Sequence, residues 1–185
     1  MLEEIIAGVE MDLSIARYPN FEELRVYCYR VASAVGLVSI EIFGYRNPRC
    51  CQYAINLGLA LQMTNIIRDV WKDFQAGRIY LPQQDLARFH YSEAELANRQ
   101  YNEQFIQLMR FEASRAREFF GRAAAELPPE DRRAMAPAEI MEPLRAGASD
   151  EQLKQFFLNV VERKPQEHDF RNNYHPNRKM IAIGG

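Results

Sequence analysis

Gln62, Asn65, Asp69 and Asp73 are four oxygen-bearing side chains set at steps of three, four and four in an otherwise apolar stretch. At a helical turn of about 100° per residue they fall within an arc of roughly 80° and form one stripe. Two carboxylates four apart on a helix repel each other by a few tenths of a kcal/mol, and burying either without a partner costs far more. The stripe therefore calls for a nearby positive charge. Mg2+ suits it, because that ion takes a few carboxylate or amide oxygens, keeps several waters and shares the rest of its octahedron with substrate phosphates. Arg68 and Lys72, four apart along one edge of the stripe, could meet phosphate oxygens that the metal leaves uncovered. A solvated polar face is the ordinary use of an Asp-x-x-x-Asp pair. Here apolar residues flank the stripe on both sides, and a neutral Gln and Asn extend its line, which charge solvation alone does not require.

Such a stripe needs a long helix. Between residues 52 and 76 there is no proline, and Ile55, Leu59, Leu61, Met63, Ile66, Ile67, Val70 and Phe74 recur at helical spacing. The pattern predicts a helix over roughly 48–76, stopped by Gly77. Asn20 with Glu23 resembles a capping box ahead of a long helix to about Phe43, with Gly44 and Pro48 marking the turn. Residues 79–82 and the following Gln83 and Gln84 read as an extended connector. Ser92 with Glu95 opens another helix, and 101–127 reads as a long amphipathic one closed by Pro128 and Pro129. No strand alternation of useful length is present, so the predicted fold class is all-α.

With 185 residues, 48% of them hydrophobic, the chain fits a single domain with a sizeable core, and no linker divides it. A net charge of −2 with mixed signs offers no basic field, which excludes nucleic acid as a partner. Cys28, Cys50 and Cys51 are odd in number and lack CxxC spacing, as expected of reduced thiols in a cytosolic protein. His90, His168 and His175 are isolated, and no Glu-x-x-His pair supports a di-iron bundle. Charged and polar residues cut every apolar stretch before about 18 positions, so neither a signal peptide nor a membrane span is expected.

Four segments, GVEMDLSIARY (8–18), YCYRVASAVG (27–36), the stripe (62–73) and GRIYLP (77–82), carry a resemblance in their order and spacing. They resemble the squalene and phytoene synthase family, head-to-head prenyltransferases that condense two isoprenoid diphosphates. YCYRVASAVGL, EIFGYRNPR and LPQQDLARF are most similar to its bacterial presqualene diphosphate synthase branch, used in squalene and hopanoid production. The resemblance implies the isoprenoid synthase helical bundle and a Mg2+ cofactor. It makes Asp69 and Asp73 the second aspartate-rich motif, binding diphosphate through Mg2+ with Asn65, while Gln62 lines the site and Arg68 supports the diphosphate. Tyr27 matches the tyrosine implicated in the chemistry, with Tyr29 as a second claimant. Val31, Ala32, Val35 and Gly36 match the wall along which a prenyl tail lies, faced by Leu57 and Leu61 from the motif helix. Small residues suit a channel for a long hydrocarbon, and tight helix packing is their other use.

The reaction so implied joins two farnesyl diphosphates into presqualene diphosphate. A phytoene synthase acting on geranylgeranyl diphosphate is the nearest rival, and a catalytically silent assembly or lipid-binding homologue is a reading from another class. Nothing resembles a dinucleotide fingerprint, so a reductive second step is not expected. The family's earlier aspartate-rich motif has no counterpart, since Glu3, Glu4, Glu10 and Asp12 lack its form. The chain is therefore expected to be a single partial domain, roughly the C-terminal two thirds of a family domain, and inactive in isolation. Lys72 stands where relatives often carry another acid, and Trp71 where the residue is usually small. In 141–163 the pattern breaks at Pro143, Gly147 and Ser149, and it resumes faintly at Arg178 and Lys179. Lipid substrates and product imply a cytoplasmic protein associated peripherally with the inner membrane surface.

Overall fold

Helices make up every named element of the computed structural model, which describes residues 1–135. In chain order these are α1 (Leu2–Ser14), α2 (Phe21–Cys28), a π-helical turn (Tyr29–Ser33), α3 (Ala34–Phe43), α4 (Cys50–Gln75), α5 (Gln83–Arg88), α6 (Glu93–Ala97), α7 (Glu103–Glu126), a 3-10 turn (Pro129–Asp131) and α8 (Arg132–Met135). Among the described residues the extended backbone pairs only in an isolated parallel bridge between Arg17 and Ile79. The predicted break at 141–163, Arg178, Lys179, His168 and His175 lie outside the described residues. His90 is exposed.

The central element is α4. Its apolar face buries Met63, Ile67, Val70 and Trp71, and α7 packs along it more extensively than any other helix does. Trp71 stacks on Phe105 of α7 with ring centroids 5.3 Å apart. The helix stops at Gly77, whose φ of 82° suits a residue without a Cβ. The Gly77 amide donates to the Phe74 carbonyl and the Arg78 amide to the Asp73 carbonyl, both at 2.9 Å, which is the Schellman pairing. This turn sends the chain back along the bundle as the connector 78–82.

Two local expectations need correction. The predicted helix from Asn20 to Phe43 is continuous but widens into the π turn at Tyr29–Ser33. The cause is the approach of α4: a Cβ on Gly58 would lie 2.5 Å from Ser33 Cα, and Ser33 Oγ donates to the Ile55 carbonyl at 2.7 Å. Backbone meets backbone here, and the wider turn accommodates it. Gln83 and Gln84 are not extended either. They open α5 behind Pro82, whose fixed φ starts the turn. At Asn20 the side chain accepts from the Glu23 amide, but it returns its second bond to the Glu23 carboxylate through its own amide group. Ser92 and Glu95 form the complete reciprocal capping box.

Residues 21–43 make one helical run that is long and apolar enough to cross a membrane by length and composition, contrary to the sequence expectation. Its seat on Gly58 and the Ser33–Ile55 bond pack one face of it on α4, and 28% of the apolar window is buried.

Candidate active site

Helical periodicity brings Gln62, Asn65, Asp69 and Asp73 onto one half-buried face of the C-terminal half of α4. Asn65 donates to Gln62 Oε1 at 3.4 Å, so the two amides are tied to each other and Asn65 Oδ1 remains available as a ligand. Arg68 does not reach outward. It grips its neighbour Asp69 with two bonds, Nε to Oδ1 at 3.1 Å and Nη2 to Oδ2 at 2.6 Å. Lys72 is exposed. Among the described residues no side-chain hydrogen bond or ion pair is recorded for the Asp73 carboxylate. Burial and the charge of Asp69 push it up to about 6 against the pull of Lys72 and Arg78, with Asp12 adding to the rise.

Opposite this face lies a second group that the sequence reasoning did not assemble. Asp12, near the end of α1, accepts from the Tyr80 hydroxyl at 2.8 Å on Oδ1 and from the Tyr27 hydroxyl at 3.3 Å on Oδ2. Arg78 donates to the Asp12 carbonyl at 2.8 Å, so the Schellman turn of α4 delivers both Arg78 and Tyr80 to α1. The rings of Tyr27 and Tyr80 stack at 5.1 Å, and Tyr18 lies 5.5 Å and 6.0 Å from them. Tyr18 is 1% exposed, and its hydroxyl has no hydrogen-bond partner among the described residues. An orphaned buried hydroxyl is rare and marks a place where water or a ligand belongs. Burial pushes the Tyr80 hydroxyl up to about 12 and those of Tyr18 and Tyr27 higher still, so all three are protonated donors at neutral pH. Aromatic faces beside a carboxylate make a seat for positive charge. Asp12 and Tyr80 were within reach of the sequence, since both lie in segments that carried the family resemblance. Asp12 was set aside with the other early acids because it does not form the first motif.

A shallow open cleft runs beside Asp73 and Tyr80, walled by Ile66, Val70, Ile79, Leu81 and Leu96. The residues expected to line a prenyl channel lie elsewhere. Val31 and Ala32 sit half-buried in the π turn, Gly36 packs against the Ala54 carbonyl, Leu61 is half-buried, and Val35 is 43% exposed. Leu57 packs on a separate core cluster that includes Ile40, Tyr53 and Leu127. The reason is angular: Leu57 is nine residues from Ile66, about 180° around the helix. Tyr29 is half-buried and has no part in the Asp12 cluster.

The donor set on α4 consists of oxygens only. Among the described residues no three His, Cys, Asp or Glu side chains gather around one point, so a closed protein cage is not offered. Asp69, Asp73 and Asn65 fit a hard ion that fills its remaining positions with water and phosphate oxygens, as Mg2+ does. The under-compensated Asp73 carboxylate is the observation that fits such an ion.

The chain matches the Squalene/phytoene synthase family over residues 1–147. It is 47% identical over 130 residues to the phytoene synthase of Arthrospira platensis, covering 63% of this chain and 42% of that protein. Among solved structures it resembles squalene synthase HpnC from Alicyclobacillus acidocaldarius at a TM-score of 0.62 and 26% identity, over 85% of this chain and 54% of that one. A dehydrosqualene synthase solved with a ligand is similar at a TM-score of 0.66 and 26% identity, over 85% and 62% of the two chains. The chain thus spans about two fifths of the length of the curated relative it matches, 42%.

Proposed function

Since this chain belongs to the squalene/phytoene synthase family, we propose that the protein joins two isoprenoid diphosphates head to head, with geranylgeranyl diphosphate as its substrate. The observation that carries this reading is the juxtaposition of the α4 carboxylates with the Asp12–Tyr27–Tyr80 cluster, close enough for Asp12 to act on the charge of Asp73. One side suits a diphosphate and the other suits a carbocation.

In the reaction we infer, the C1–O bond of one prenyl diphosphate breaks and its electron pair leaves on the diphosphate. The double bond of the second substrate attacks the allylic cation, and loss of a proton closes a cyclopropylcarbinyl diphosphate. Asp69, Asp73 and Asn65 would hold Mg2+, which when bound supplies positive charge to the departing diphosphate. Arg68 would have to exchange one of its two bonds to Asp69 for a phosphate oxygen to support the diphosphate. Tyr27 and Tyr80 would offer their rings to the cation while Asp12 balances its charge, and the apolar side chains of the cleft would limit the water beside it.

The 47% identity to a phytoene synthase, against 26% to the squalene and dehydrosqualene synthase structures, favours the longer prenyl chain. Farnesyl diphosphate is the second reading, favoured by the structural likeness to HpnC. Substrates of either length partition into lipid, so we place the protein on the cytoplasmic side of the inner membrane surface.

Titration calorimetry of the full chain with a non-ionising thio analogue of geranylgeranyl diphosphate, with and without Mg2+, tests the reading. We expect Mg2+-dependent binding that is tighter than for the farnesyl analogue. Asp69→Asn or Asp73→Asn should weaken it at least about tenfold, roughly 1.4 kcal/mol, with far-UV circular dichroism unchanged. Binding indifferent to Mg2+ or to both substitutions would reject the metal assignment. Replacing the matching span of the Arthrospira platensis phytoene synthase with this chain should preserve phytoene formation.

A further inference from the structure

A buried charge cluster lies away from the carboxylate stripe. Asp85 on α5 is 5% exposed and Glu112 on α7 is 2% exposed. Both bond to Arg115 of α7: its Nη1 donates to Asp85 Oδ2 at 2.9 Å and to Glu112 Oε2 and Oε1 at 2.9 Å and 3.1 Å. The same guanidinium lies over the rings of Phe21, at 4.1 Å from the centroid, and Phe111, at 4.6 Å. Phe21 is the first residue of α2 and Asp85 the third of α5.

These contacts matter because of what the two segments carry. Tyr18 lies three residues before Phe21 and Tyr27 six after it, while Tyr80 lies five before Asp85. The segments are also laced directly, with the Gln83 amide donating to the Tyr18 carbonyl at 2.9 Å and the Gln84 amide to the Pro19 carbonyl at 3.0 Å. We propose that Arg115 is a positioning residue of the site: seated between Asp85, Glu112 and the Phe21 ring, it pins α5 and the start of α2 to α7 and so sets the geometry in which Tyr27 and Tyr80 meet Asp12. This rests on the reading of that tyrosine cluster as part of the site.

Lysine does not reproduce this seat, because its ammonium has donors for the two carboxylates but no planar group to lie over the Phe21 and Phe111 rings. The charge balance supplies an independent handle. Two carboxylates share one guanidinium, and Glu112 in turn acts on the buried Cys28 thiol of α2, which burial keeps neutral. An uncompensated buried charge is costly, so the cluster retains a proton. Burial, together with the neighbouring Asp85, pushes Glu112 up to about 8 against the pull of Arg115. Raised above its ordinary 4.5, Glu112 contributes stability that is full below that value and is lost as pH rises through 8.

The test uses the full chain labelled with 13C-tyrosine, with ring signals assigned through Tyr27→Phe and Tyr80→Phe. Trp71 emission reports the α4–α7 contact as a control. Arg115→Lys should shift the Tyr27 and Tyr80 signals and leave Trp71 emission and far-UV circular dichroism unchanged. Unmoved tyrosine signals, or Trp71 emission moving along with them, would overturn the proposal. If Arg115→Lys does not fold, Phe21→Leu removes the aromatic seat while keeping apolar bulk. It should shift Tyr27 more than Tyr80, and no shift overturns the proposal. In Glu112→Gln the tyrosine signals should stay in place. From pH 5 to 9 the unfolding constant of the parent chain should rise at least about tenfold relative to this variant. Matching pH profiles would remove the charge argument and the proposal with it. None of these readouts involves a prenyl diphosphate. Shifted tyrosines without Mg2+-dependent binding would therefore reject the enzymatic reading and leave the positioning role standing, and the reverse result would do the opposite.

Discussion

At the residue scale, two acids of the site are held in opposite ways. Asp69 is satisfied by Arg68 next to it in sequence, whereas Asp12 is satisfied by hydroxyls 15 and 68 residues away. A hydrogen bond to a charged acceptor contributes about 1.5–3 kcal/mol when well formed and less when long. Tyr80→Phe should therefore cost about 1–2 kcal/mol in urea denaturation, and Tyr27→Phe, whose bond is 3.3 Å against 2.8 Å, less than about 1 kcal/mol. Equal costs would mean that Asp12 does not discriminate between them. The difference in range also explains what could be read beforehand. The stripe of Gln62, Asn65, Asp69 and Asp73 is a local periodicity, visible in any helix of that sequence. Asp12 has no local pattern, and its role exists only once the chain has folded back at Gly77. Arg68, expected at the diphosphate, is bonded to Asp69, the carboxylate next to it on the chain.

At the element scale, α4 was legible because a 3.6-residue repeat with a glycine stop fixes where a helix runs and ends. The connector was half legible. Pro82 is extended as read, with ψ 132°, but Gln83 and Gln84 behind it turn into α5. The π turn was invisible, since its width answers to a second helix pressing on it. Gly58 is the point of pressure, and an added Cβ there would meet Ser33 backbone atoms at 2.5–2.6 Å. Backbone cannot rotate aside as a flexible side chain can. Gly58→Ala should therefore cost about 1–3 kcal/mol, visible as a fall of several degrees in Tm, even though alanine is the better helix former. A neutral or stabilising result would mean that the two helices are not in backbone contact. Val31 and Ala32, expected from the sequence at a prenyl channel, belong to this turn, so their half-buried positions are set by the same contact.

At the scale of the whole molecule, composition announced a helical protein with a core but could not say which apolar residues enter it. α1 illustrates the gap. Leu2, Ile6, Val9 and Leu13 follow a 4–3–4 spacing that would serve as a core stripe in an isolated helix, yet all four are exposed. The face that α1 turns to the bundle instead carries Ile5, Gly8 and Met11 together with Asp12, whose bonds to Tyr27 and Tyr80 and whose carbonyl bond from Arg78 fix the end of the helix. Apolar periodicity alone thus does not tell which face of α1 is packed. The consequence for stability is direct. Leu13, 83% exposed, has little burial to lose, so Leu13→Ser should change unfolding free energy by no more than about 0.5 kcal/mol. Leu24, 1% exposed on α2, should cost about 2–5 kcal/mol on replacement by alanine, because a buried side chain of that size leaves a cavity that the surrounding helices fill only in part. Urea denaturation of the two variants decides the matter. Comparable losses would place the α1 stripe inside the core and reverse the orientation that brings Asp12 to the tyrosines.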